Sequence, residues 1–332
     1  MRTKTVKKVA LIGLGSIGKR HLRLLKTLRP DLEVILVRSG NGKNWPEENL
    51  SKETVYSIEE AIEKGIDTAI IASPAPYHVE QAIKLLNSYI PTFIEKPLSN
   101  NINKIRELKS LASQIQVPVL VGYVLRHSTD MRCFRKMLSR NSIGKLANVK
   151  IECSSYLPDW RPEQDYRLTA SACRELGGGV LLELSHELDY ANWLFGPFLS
   201  VNATLLNSRK LDIDVEDTAN LVLTSKSVPH LSIDLSFAQH DSRRQCVVEG
   251  SKGRIVWDGI NCSVSIEHDS GDIDYWPFSS DRNVMYIEQL EHFLSCVEKG
   301  NPPKVSLDEG IAVMNLIDAA CRSNQVNLAV GL

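Results

Sequence analysis

A glycine-rich turn near the start of the chain has the residue types and spacing of a phosphate-binding site. Gly13, Gly15 and Gly18 form a GxGxxG pattern between a β-rich run and a helix-like run. The first glycine permits a tight turn, the second lets the backbone approach a pyrophosphate, and the third allows close packing of helix on strand. The N–H groups at the start of the helix then bind phosphate. The turn predicts a dinucleotide site with contacts at Gly13, Gly15, Ser16, Ile17 and Gly18; the alternative is a glycine turn without a ligand.

The residue that binds the adenosine ribose is expected about 20 positions after the last glycine, at the end of the second strand. That position holds Arg38, which is followed by Ser39. A carboxylate at position 38 would favour NAD. An arginine offers a planar cation for a 2′-phosphate. We therefore predict cofactor contacts at both residues and a preference for NADP over NAD. In the alternative interpretation, Arg38 is a solvated strand end and backbone groups hold the ribose.

The first third of the chain supplies elements that could position this turn. Short, nearly continuous apolar runs alternate with amphipathic segments, as expected when strands of a parallel sheet are buried on both faces. Strands are predicted at 9–14, 34–37, 68–72, 92–94 and 117–121, and helices at 17–28, 58–64, 78–86 and 102–112. The alternation predicts an α/β, doubly wound Rossmann domain over residues 1–125.

After about residue 125, strands follow one another with turn signals and few helices between them. The predicted strands are 149–155, 201–206, 219–223, 231–236, 245–249, 254–257 and 263–266. We predict an α+β domain over residues 126–306, built on a large, mostly antiparallel open sheet. Two helices close the chain, at 284–297 and 307–321, and the last one, about 307–325, is expected to pack back onto the first domain.

The composition excludes several classes of protein. The 332 residues suggest about two domains, and 43% hydrophobic residues make disorder a poor interpretation. A formal net charge of −1 gives no electrostatic reason to bind nucleic acid or an anionic membrane. No apolar stretch approaches the roughly 20 residues that span a bilayer. The seven cysteines are dispersed without a CxxC pair, which favours reduced thiols and a cytoplasmic location.

Other site classes lack their sequence patterns. The chain contains no HExxH, no GxxxxGK[ST] and no GxSxG motif. The sequence therefore predicts no metal site and does not favour acyl transfer.

Three further segments, in order along the chain, resemble motifs of the Gfo/Idh/MocA family of NAD(P)-dependent oxidoreductases. Residues 71–78 are similar to its (T/S)P…H segment, Glu95-Lys96-Pro97 to its EKP signature, and residues 177–189 to its GGG…D…H..D helix. Residues 122–126 and 249–253 are weaker matches. The resemblance implies cofactor contacts at Ser73, Pro74, His78, Glu95 and Lys96. Glu95 is expected to position the loop or the cofactor rather than to transfer protons, and for His78 a structural role at a helix start is the alternative.

The same resemblance, with the chemistry of the side chains, indicates the catalytic residues Lys96 and His186. Alcohol dehydrogenation requires a base for the hydroxyl proton, and an imidazole that titrates near neutral pH can accept and return it. The Lys96 ammonium could stabilise developing alkoxide character. On a helix, Glu183 and Asp189 are each three positions from His186, so one carboxylate could orient the imidazole. In the family, three residues usually separate an Asp from the His; here only two residues separate Glu183 from His186, and the carboxylate is one methylene longer.

A segment rich in aromatic and charged residues, 156–167, precedes the glycine run and is a candidate substrate lip. Aromatic faces stack on the C–H surfaces of sugars, and arginines bind hydroxyls, carboxylates or phosphates. A simple interface loop is the alternative. The predicted substrate-binding residues are Glu183, Arg126, Tyr156, Trp160, Arg161 and Tyr166.

The resemblance implies an enzyme that transfers a hydride between a nicotinamide cofactor and a ring hydroxyl or ketone of a sugar, sugar derivative or polyol. It also implies a homodimer or homotetramer, with substrate binding and oligomerisation carried by the domain over residues 126–306. Two alternatives are a reductase of a non-sugar substrate, of the tetrapyrrole or dihydrodiol type, and a catalytically silent dinucleotide-binding regulator with the same fold.

Overall fold

A computed structural model describes residues 5–332, beginning with a strand that leads into the glycine turn. Its strands are β1 (Lys8–Ile12), β2 (Glu33–Val37), β3 (Glu53–Val55), β4 (Thr68–Ile71), β5 (Thr92–Ile94), β6 (Val119–Val121), β7 (Leu146–Tyr156), β8 (Phe198–Leu206), β9 (Thr218–Ser225), β10 (His230–Ser236), β11 (Ala238–Gly250), β12 (Gly253–Asp258), β13 (Ser263–His268), β14 (Ile273–Pro277) and β15 (Val330–Gly331). Its helices are α1 (Ser16–Leu28), α2 (Ile58–Glu63), α3 (His78–Asn87), α4 (Ile105–Ile115), α5 (Thr129–Ser139), α6 (Val180–Glu183), α7 (Ser185–Phe195), α8 (Asn283–Lys299) and α9 (Leu307–Val326). Within this described part of the chain, no helix is long and apolar enough to cross a bilayer.

The first of two structural units, residues up to 124 together with 283–311, contains a six-stranded sheet. All neighbouring strands are parallel, in the order β3-β2-β1-β4-β5-β6. The strand order reverses beside β1, where the chain passes from β3 to β4 on the other side. In doubly wound sheets, ligands bind at the carboxyl ends of strands at this reversal. The predicted Rossmann architecture is confirmed.

The first unit includes α8, which the sequence analysis did not place there, and the first residues of α9 up to Ile311. Leu290, Phe293 and Leu294 of α8 are fully buried in one core cluster with Leu22 and Leu25 of α1. The unit boundary falls inside α9, after residue 311, so the unit limits differ from the expected 1–125 and 126–306.

The later part of α9 is held in the second unit by hydrogen bonds to β8. Ser323 Oγ accepts from the Ala203 N–H (2.9 Å), and Asn324 Oδ1 accepts from the Leu205 N–H (2.8 Å). Because these side chains satisfy backbone amides of a strand, they fix this end of α9 to the second sheet.

The second unit, residues 125–282 and 312–332, is built on a nine-stranded sheet in the order β14-β13-β12-β11-β7-β10-β9-β8-β15. Neighbouring strands are antiparallel except β7 and β10, which are parallel. Buried and exposed residues alternate strictly along most of β9, as expected for a sheet with one covered face. The prediction of a large, mostly antiparallel sheet is confirmed, with a single parallel pair inside it.

Candidate active site

The glycine turn has the geometry that its sequence predicts. Gly13 has a φ of +95°, and a Cβ there would lie 2.8 Å from the Ala72 carbonyl oxygen. A Cβ on Gly18 would lie only 2.3 Å from the Gly13 carbonyl oxygen, so the helix packs against the turn at this point. The position of a Cβ on Gly15 has no protein atom within 4 Å. The turn is therefore closely packed at its two ends and open at its middle glycine.

Helix α1 begins directly at this open position. Gly15 is its N-cap, with extended backbone, and no described side chain caps the helix or places a carboxylate in its first turn. The first N–H groups of a helix have no partner within the helix, and with the dipole they attract anions. These features fit a pyrophosphate bound at Ser16, Ile17 and Gly18.

Arg38 and Ser39 lie at the end of β2, as predicted, and Arg38 is engaged within its own unit. Its guanidinium forms an ion pair with Glu48 and donates a hydrogen bond to the Lys43 carbonyl oxygen (2.6 Å). The Arg38 side chain is only 10% exposed. Ser39 Oγ accepts a long hydrogen bond from the Asn41 N–H (3.4 Å). A 2′-phosphate would therefore compete with the Glu48 carboxylate for Arg38.

The segment after β4 contains the predicted residues Ser73, Pro74 and His78. Ser73 Oγ donates to Gln81 (2.7 Å), and Pro74 precedes a short 3-10 helix at Ala75–Tyr77. His78 is buried, with Nε2 2.7 Å from the Ser73 carbonyl oxygen and Nδ1 2.9 Å from the Pro97 carbonyl oxygen. Desolvation lowers the pKa of His78. His78 therefore links the segment after β4 to the segment after β5.

Glu95 directly follows β5, and its carboxylate binds groups of the same unit. Oε1 lies 2.6 Å from Nε2 of the buried His21 on α1, and Oε2 accepts from the Lys96 N–H (3.1 Å). Glu95 is itself buried, whereas Lys96 is half-buried and precedes Pro97 through a cis peptide bond. Glu95 therefore holds its own loop through contacts with α1 and with the Lys96 backbone.

Glu183 and His186 lie on two short helices rather than on one. Helix α6 ends at Glu183 and α7 starts at Ser185, because Leu184 between them leaves helical backbone (ψ 25°). The expected i, i+3 relationship between Glu183 and His186 on a continuous helix is therefore absent from the structure. The Glu183 carboxylate accepts a hydrogen bond from Ser171 Oγ (2.9 Å). His186 lies in the first turn of α7 and is half-buried.

The glycine run before α6 closes on an acidic residue that sequence reasoning missed. Gly179 has a φ of +112°, and a Cβ there would meet the Glu216 carboxylate at 2.3 Å. Glu216 Oε1 accepts from the Leu181 N–H (3.2 Å), and burial raises the pKa of Glu216. This contact fixes the start of α6.

Arg126 was predicted to bind substrate, but its side chain is buried in an ion pair. Its guanidinium donates two hydrogen bonds to Asp189 on α7 (2.9 and 2.6 Å), and the two side chains are 1% and 0% exposed. Removing either partner would leave the other charge buried and unpaired, at a cost of about 3–5 kcal/mol. The buried pair is therefore part of the core of the second unit. Asp189 is thereby engaged with Arg126, which makes it an anchor of α7.

A second ion pair and an aromatic contact fix α7 on the sheet of the same unit. Glu187, fully buried, accepts from Nε of Arg244 on β11 (2.8 Å). Tyr190 packs edge-on against Trp257 of β12, with ring centroids 5.5 Å apart. The residues that follow His186 on α7 are therefore fixed to the sheet by an ion pair and by ring packing.

The predicted lip, residues 156–167, begins at the end of β7, contains a short 3-10 helix at Leu157–Trp160 and ends inside a second one at Tyr166–Leu168. Two further 3-10 helices, Ala170–Ala172 and Arg174–Leu176, follow it. The ring of Tyr156 lies 3.9 Å from that of His240. Trp160 donates to Ser155 Oγ (2.8 Å) and packs edge-on against Phe237. Arg161 and Tyr166 are half-buried. The lip is therefore supported by the second sheet, and Tyr156 and Trp160 are half-buried there.

Sequence reasoning missed His21 as a site residue. It lies four positions before Leu25 on the buried face of α1 and is fully buried. A histidine in the apolar stripe of a helix is a detectable signal, since a buried imidazole needs a polar partner.

The architecture and the turn define the class of the protein: a two-unit α/β protein with a dinucleotide-binding Rossmann unit. The family description "Oxidoreductase family, NAD-binding Rossmann fold" matches residues 7–123, and "Oxidoreductase family, C-terminal alpha/beta domain" matches residues 135–332. The chain belongs to the Gfo/Idh/MocA oxidoreductase family. It is therefore an oxidoreductase with an NAD-binding domain.

The relatives and solved structures named below each align with this chain over nearly its full length. The chain is 27% identical to the myo-inositol 2-dehydrogenase of Thermotoga maritima, covering 98% of each chain, and 26% identical to the inositol 2-dehydrogenase of Rhizobium meliloti, covering 94% and 95%. A levoglucosan dehydrogenase in complex with NADH and levoglucosan has a TM-score of 0.85 at 18% identity, with 98% of each chain covered. The WlbA dehydrogenase of Bordetella pertussis, in complex with NADH and UDP-GlcNAcA, has a TM-score of 0.81 at 20% identity, with 100% and 99% covered. These two solved structures share the fold of this chain.

Proposed function

We propose that the chain is an NAD(P)-dependent dehydrogenase that transfers a hydride between a nicotinamide cofactor and a ring hydroxyl or ketone of a sugar, sugar derivative or polyol. One observation carries the proposal: contacts inside the first unit connect the glycine turn to Lys96. The Gly13 position abuts Ser73, the Ser73 carbonyl oxygen contacts His78, and His78 contacts Pro97. A phosphate-binding turn and a lysine therefore share one edge of the parallel sheet.

The names of the relatives support the substrate class. Inositol, levoglucosan and UDP-GlcNAcA, which appear in their names and titles, all carry secondary hydroxyl groups on a ring. Both solved structures described above were determined with NADH. Carried over to this chain, these ligands suggest a cyclic polyol or sugar as the substrate.

In the proposed reaction the bound cofactor supplies a hydride acceptor at the nicotinamide C4. The Lys96 ammonium donates a hydrogen bond to the reacting oxygen and stabilises its developing negative charge. The His186 imidazole accepts the hydroxyl proton as the carbonyl forms, and returns it in the reverse direction. Lys96 also contacts the ribose next to the nicotinamide. Further cofactor contacts come from the residues of the glycine turn, including the N–H groups at the start of α1, and from Ser73 and Pro74.

The substrate is proposed to bind to the lip of the second unit. Tyr156 and Trp160 offer aromatic faces for the C–H surfaces of a sugar ring, and Arg161 and Tyr166 offer hydrogen-bond donors. Glu183, six residues before Asp189, supplies a carboxylate for hydroxyl groups. Arg126 is left out of this proposal because of its buried pairing with Asp189.

We further propose that NADP is preferred to NAD, with Arg38 and Ser39 binding the 2′-phosphate. The cation at the end of β2 supports this choice, but Glu48 must release Arg38 first. Replacing Glu48 by Gln should therefore raise the affinity for NADPH and leave that for NADH nearly unchanged. Equal affinities for the two cofactors in both proteins would contradict an NADP preference.

A homodimer or homotetramer in the cytoplasm completes the proposal. The open face of the second sheet is the surface for subunit contact, and seven free thiols suit a reducing compartment. Light scattering on the purified protein tests the oligomer, and a monomer at micromolar concentration would contradict it.

The function is tested by following the absorbance of the reduced nicotinamide with NAD⁺ or NADP⁺. The panel contains myo-inositol, levoglucosan, glucose and UDP-GlcNAcA. We expect turnover with at least one of these compounds and with one cofactor preferred. Tight binding of NADH or NADPH without turnover on any of them would favour a dinucleotide-binding regulator and contradict the proposal.

A further inference from the structure

Two buried histidines from different helices hold the residues on either side of Lys96. On the N-terminal side, His21 of α1 contacts Glu95 Oε1 at 2.6 Å, and Glu95 Oε2 accepts the Lys96 N–H at 3.1 Å. On the C-terminal side, His78 of α3 lies 2.9 Å from the Pro97 carbonyl oxygen. The backbone around Lys96 is therefore fixed from both directions.

His21 and Glu95 occupy core positions. Apolar side chains would pack there without the cost of removing polar groups from water. His21 is 0% exposed and Glu95 is 5% exposed, and burying polar groups costs free energy unless they are hydrogen-bonded. An aliphatic residue would fill the place of His21 on the buried face of α1. What the imidazole adds is a fixed Glu95 carboxylate, whose other oxygen orients the Lys96 amide.

His78 connects two loops at the carboxyl ends of neighbouring strands. Its Nε2 lies 2.7 Å from the Ser73 carbonyl oxygen, after β4, and its Nδ1 contacts Pro97, after β5. Both partners are carbonyl oxygens, so a protonated imidazole donates to both of them, whereas a neutral one donates to one and packs against the other. His78 therefore keeps the Lys96 loop at a set distance from the loop that adjoins the glycine turn.

We propose that His21 and His78 are positioning residues for Lys96. They hold the Glu95-Lys96-Pro97 loop so that the Lys96 ammonium meets the nicotinamide ribose and the reacting oxygen. The inference rests on the proposed function of Lys96. Since a misplacement of about 1 Å can cost about 100-fold in rate, indirect contacts of this kind have measurable effects.

A double-mutant cycle on cofactor binding tests the inference without a known substrate. The dissociation constant of NADH is measured by fluorescence for His21→Leu, His21→Gln and His78→Asn. Each substitution is made with Lys96 intact and together with Lys96→Met. We expect His21→Leu and His78→Asn to weaken NADH roughly tenfold with Lys96 intact, and less than about twofold together with Lys96→Met. His21→Gln, whose amide can replace the imidazole N–H, should retain more affinity than His21→Leu.

His292→Gln is the matched control, because His292 also lies in the first unit and accepts a backbone hydrogen bond, from the Lys304 N–H (2.8 Å). It should leave the affinity for NADH unchanged. If His21→Leu fails to fold, judged by circular dichroism, the cycle is completed with His21→Gln and His78→Asn.

Two results would overturn the inference, and they differ in meaning. Equal weakening of NADH by the histidine substitutions with and without Lys96→Met would show a structural role that does not act through Lys96. An unchanged NADH affinity in Lys96→Met alone would instead refute the proposed contact of Lys96 with the cofactor, and with it the basis of the inference.

Discussion

Alanine at Gly15 and alanine at Gly18 should separate cofactor binding from folding, although both glycines belong to one turn. At Gly18 the new Cβ would lie 2.3 Å from the Gly13 carbonyl oxygen, where ordinary contact begins at 3.4 Å. The start of α1 must then move by about 1 Å. At Gly15 the new Cβ would have no protein atom within 4 Å, so only a ligand can collide with it.

The magnitudes follow from these contacts. Overpacking at Gly18 costs about 2–3 kcal/mol, and the higher helix propensity of alanine offsets about 1 kcal/mol of it. A net loss of about 1–2 kcal/mol corresponds to a fall in melting temperature of roughly 3–6 °C. At the N-cap position of Gly15, alanine costs only about 0.5 kcal/mol, or roughly 1–2 °C. A methyl group in the pyrophosphate space should weaken NADH by about tenfold or more, equivalent to about 1.4 kcal/mol.

The assay pairs differential scanning calorimetry with fluorescence titration of NADH for wild type, Gly15→Ala and Gly18→Ala. Gly15→Ala should melt close to wild type and bind NADH weakly. Gly18→Ala should lose stability and, since the helix start moves, affinity as well. Wild-type NADH affinity in Gly15→Ala would refute the assignment of the turn as the pyrophosphate site.

Three further predictions concern charge and protonation. Arg38→Asp should weaken NADPH more than NADH in fluorescence titration, and equal effects would remove the 2′-phosphate argument. Arg126→Met should destabilise the second unit by about 3–5 kcal/mol in urea unfolding, because Asp189 is left buried without its cation, and a change below about 1 kcal/mol would contradict a buried pair. Burial lowers the pKa of His78, so below pH about 6.5 the unfolded chain binds more protons than the folded one, and stability should fall as the pH drops. His78→Asn should flatten this part of the melting-temperature profile, and an unchanged slope would contradict it.

The Rossmann unit could be predicted from sequence because its signals are local. The apolar run of β1, the glycine spacing and the amphipathic α1 lie within 30 consecutive residues, and each constrains the next. The second unit could be predicted only in outline. The parallel pairing of β7 with β10 depends on a chain excursion of more than 70 residues, and no local pattern specifies strand order over that distance.

Two helical features of the second unit also escaped prediction. Helix α5 (Thr129–Ser139) carries three basic residues among its apolar ones, which weakens its periodic pattern. The break at Leu184 occurs at a residue with good helix propensity, so tertiary contacts around α6 and α7 decide it.

The positions of the site residues could be predicted better than the partners of their side chains. Arg38 and Arg126 were predicted as ligand-binding cations, yet the structure pairs them with Glu48 and Asp189, which are 10 and 63 positions away in sequence. Glu95 meets His21, 74 positions earlier, in the same way. A sequence reveals which residues can form ion pairs, but the fold selects which ones do.

The most direct test of the account is the turnover number of Lys96→Met and of His186→Asn with the best compound of the substrate panel. Each variant should lose about 100-fold or more in turnover, the usual contribution of a positioned proton-transfer group or a donor to a developing oxyanion, while His186→Asn binds NADH as tightly as wild type. Turnover within a few-fold of wild type in either variant would contradict the assignment of these two residues to the chemistry.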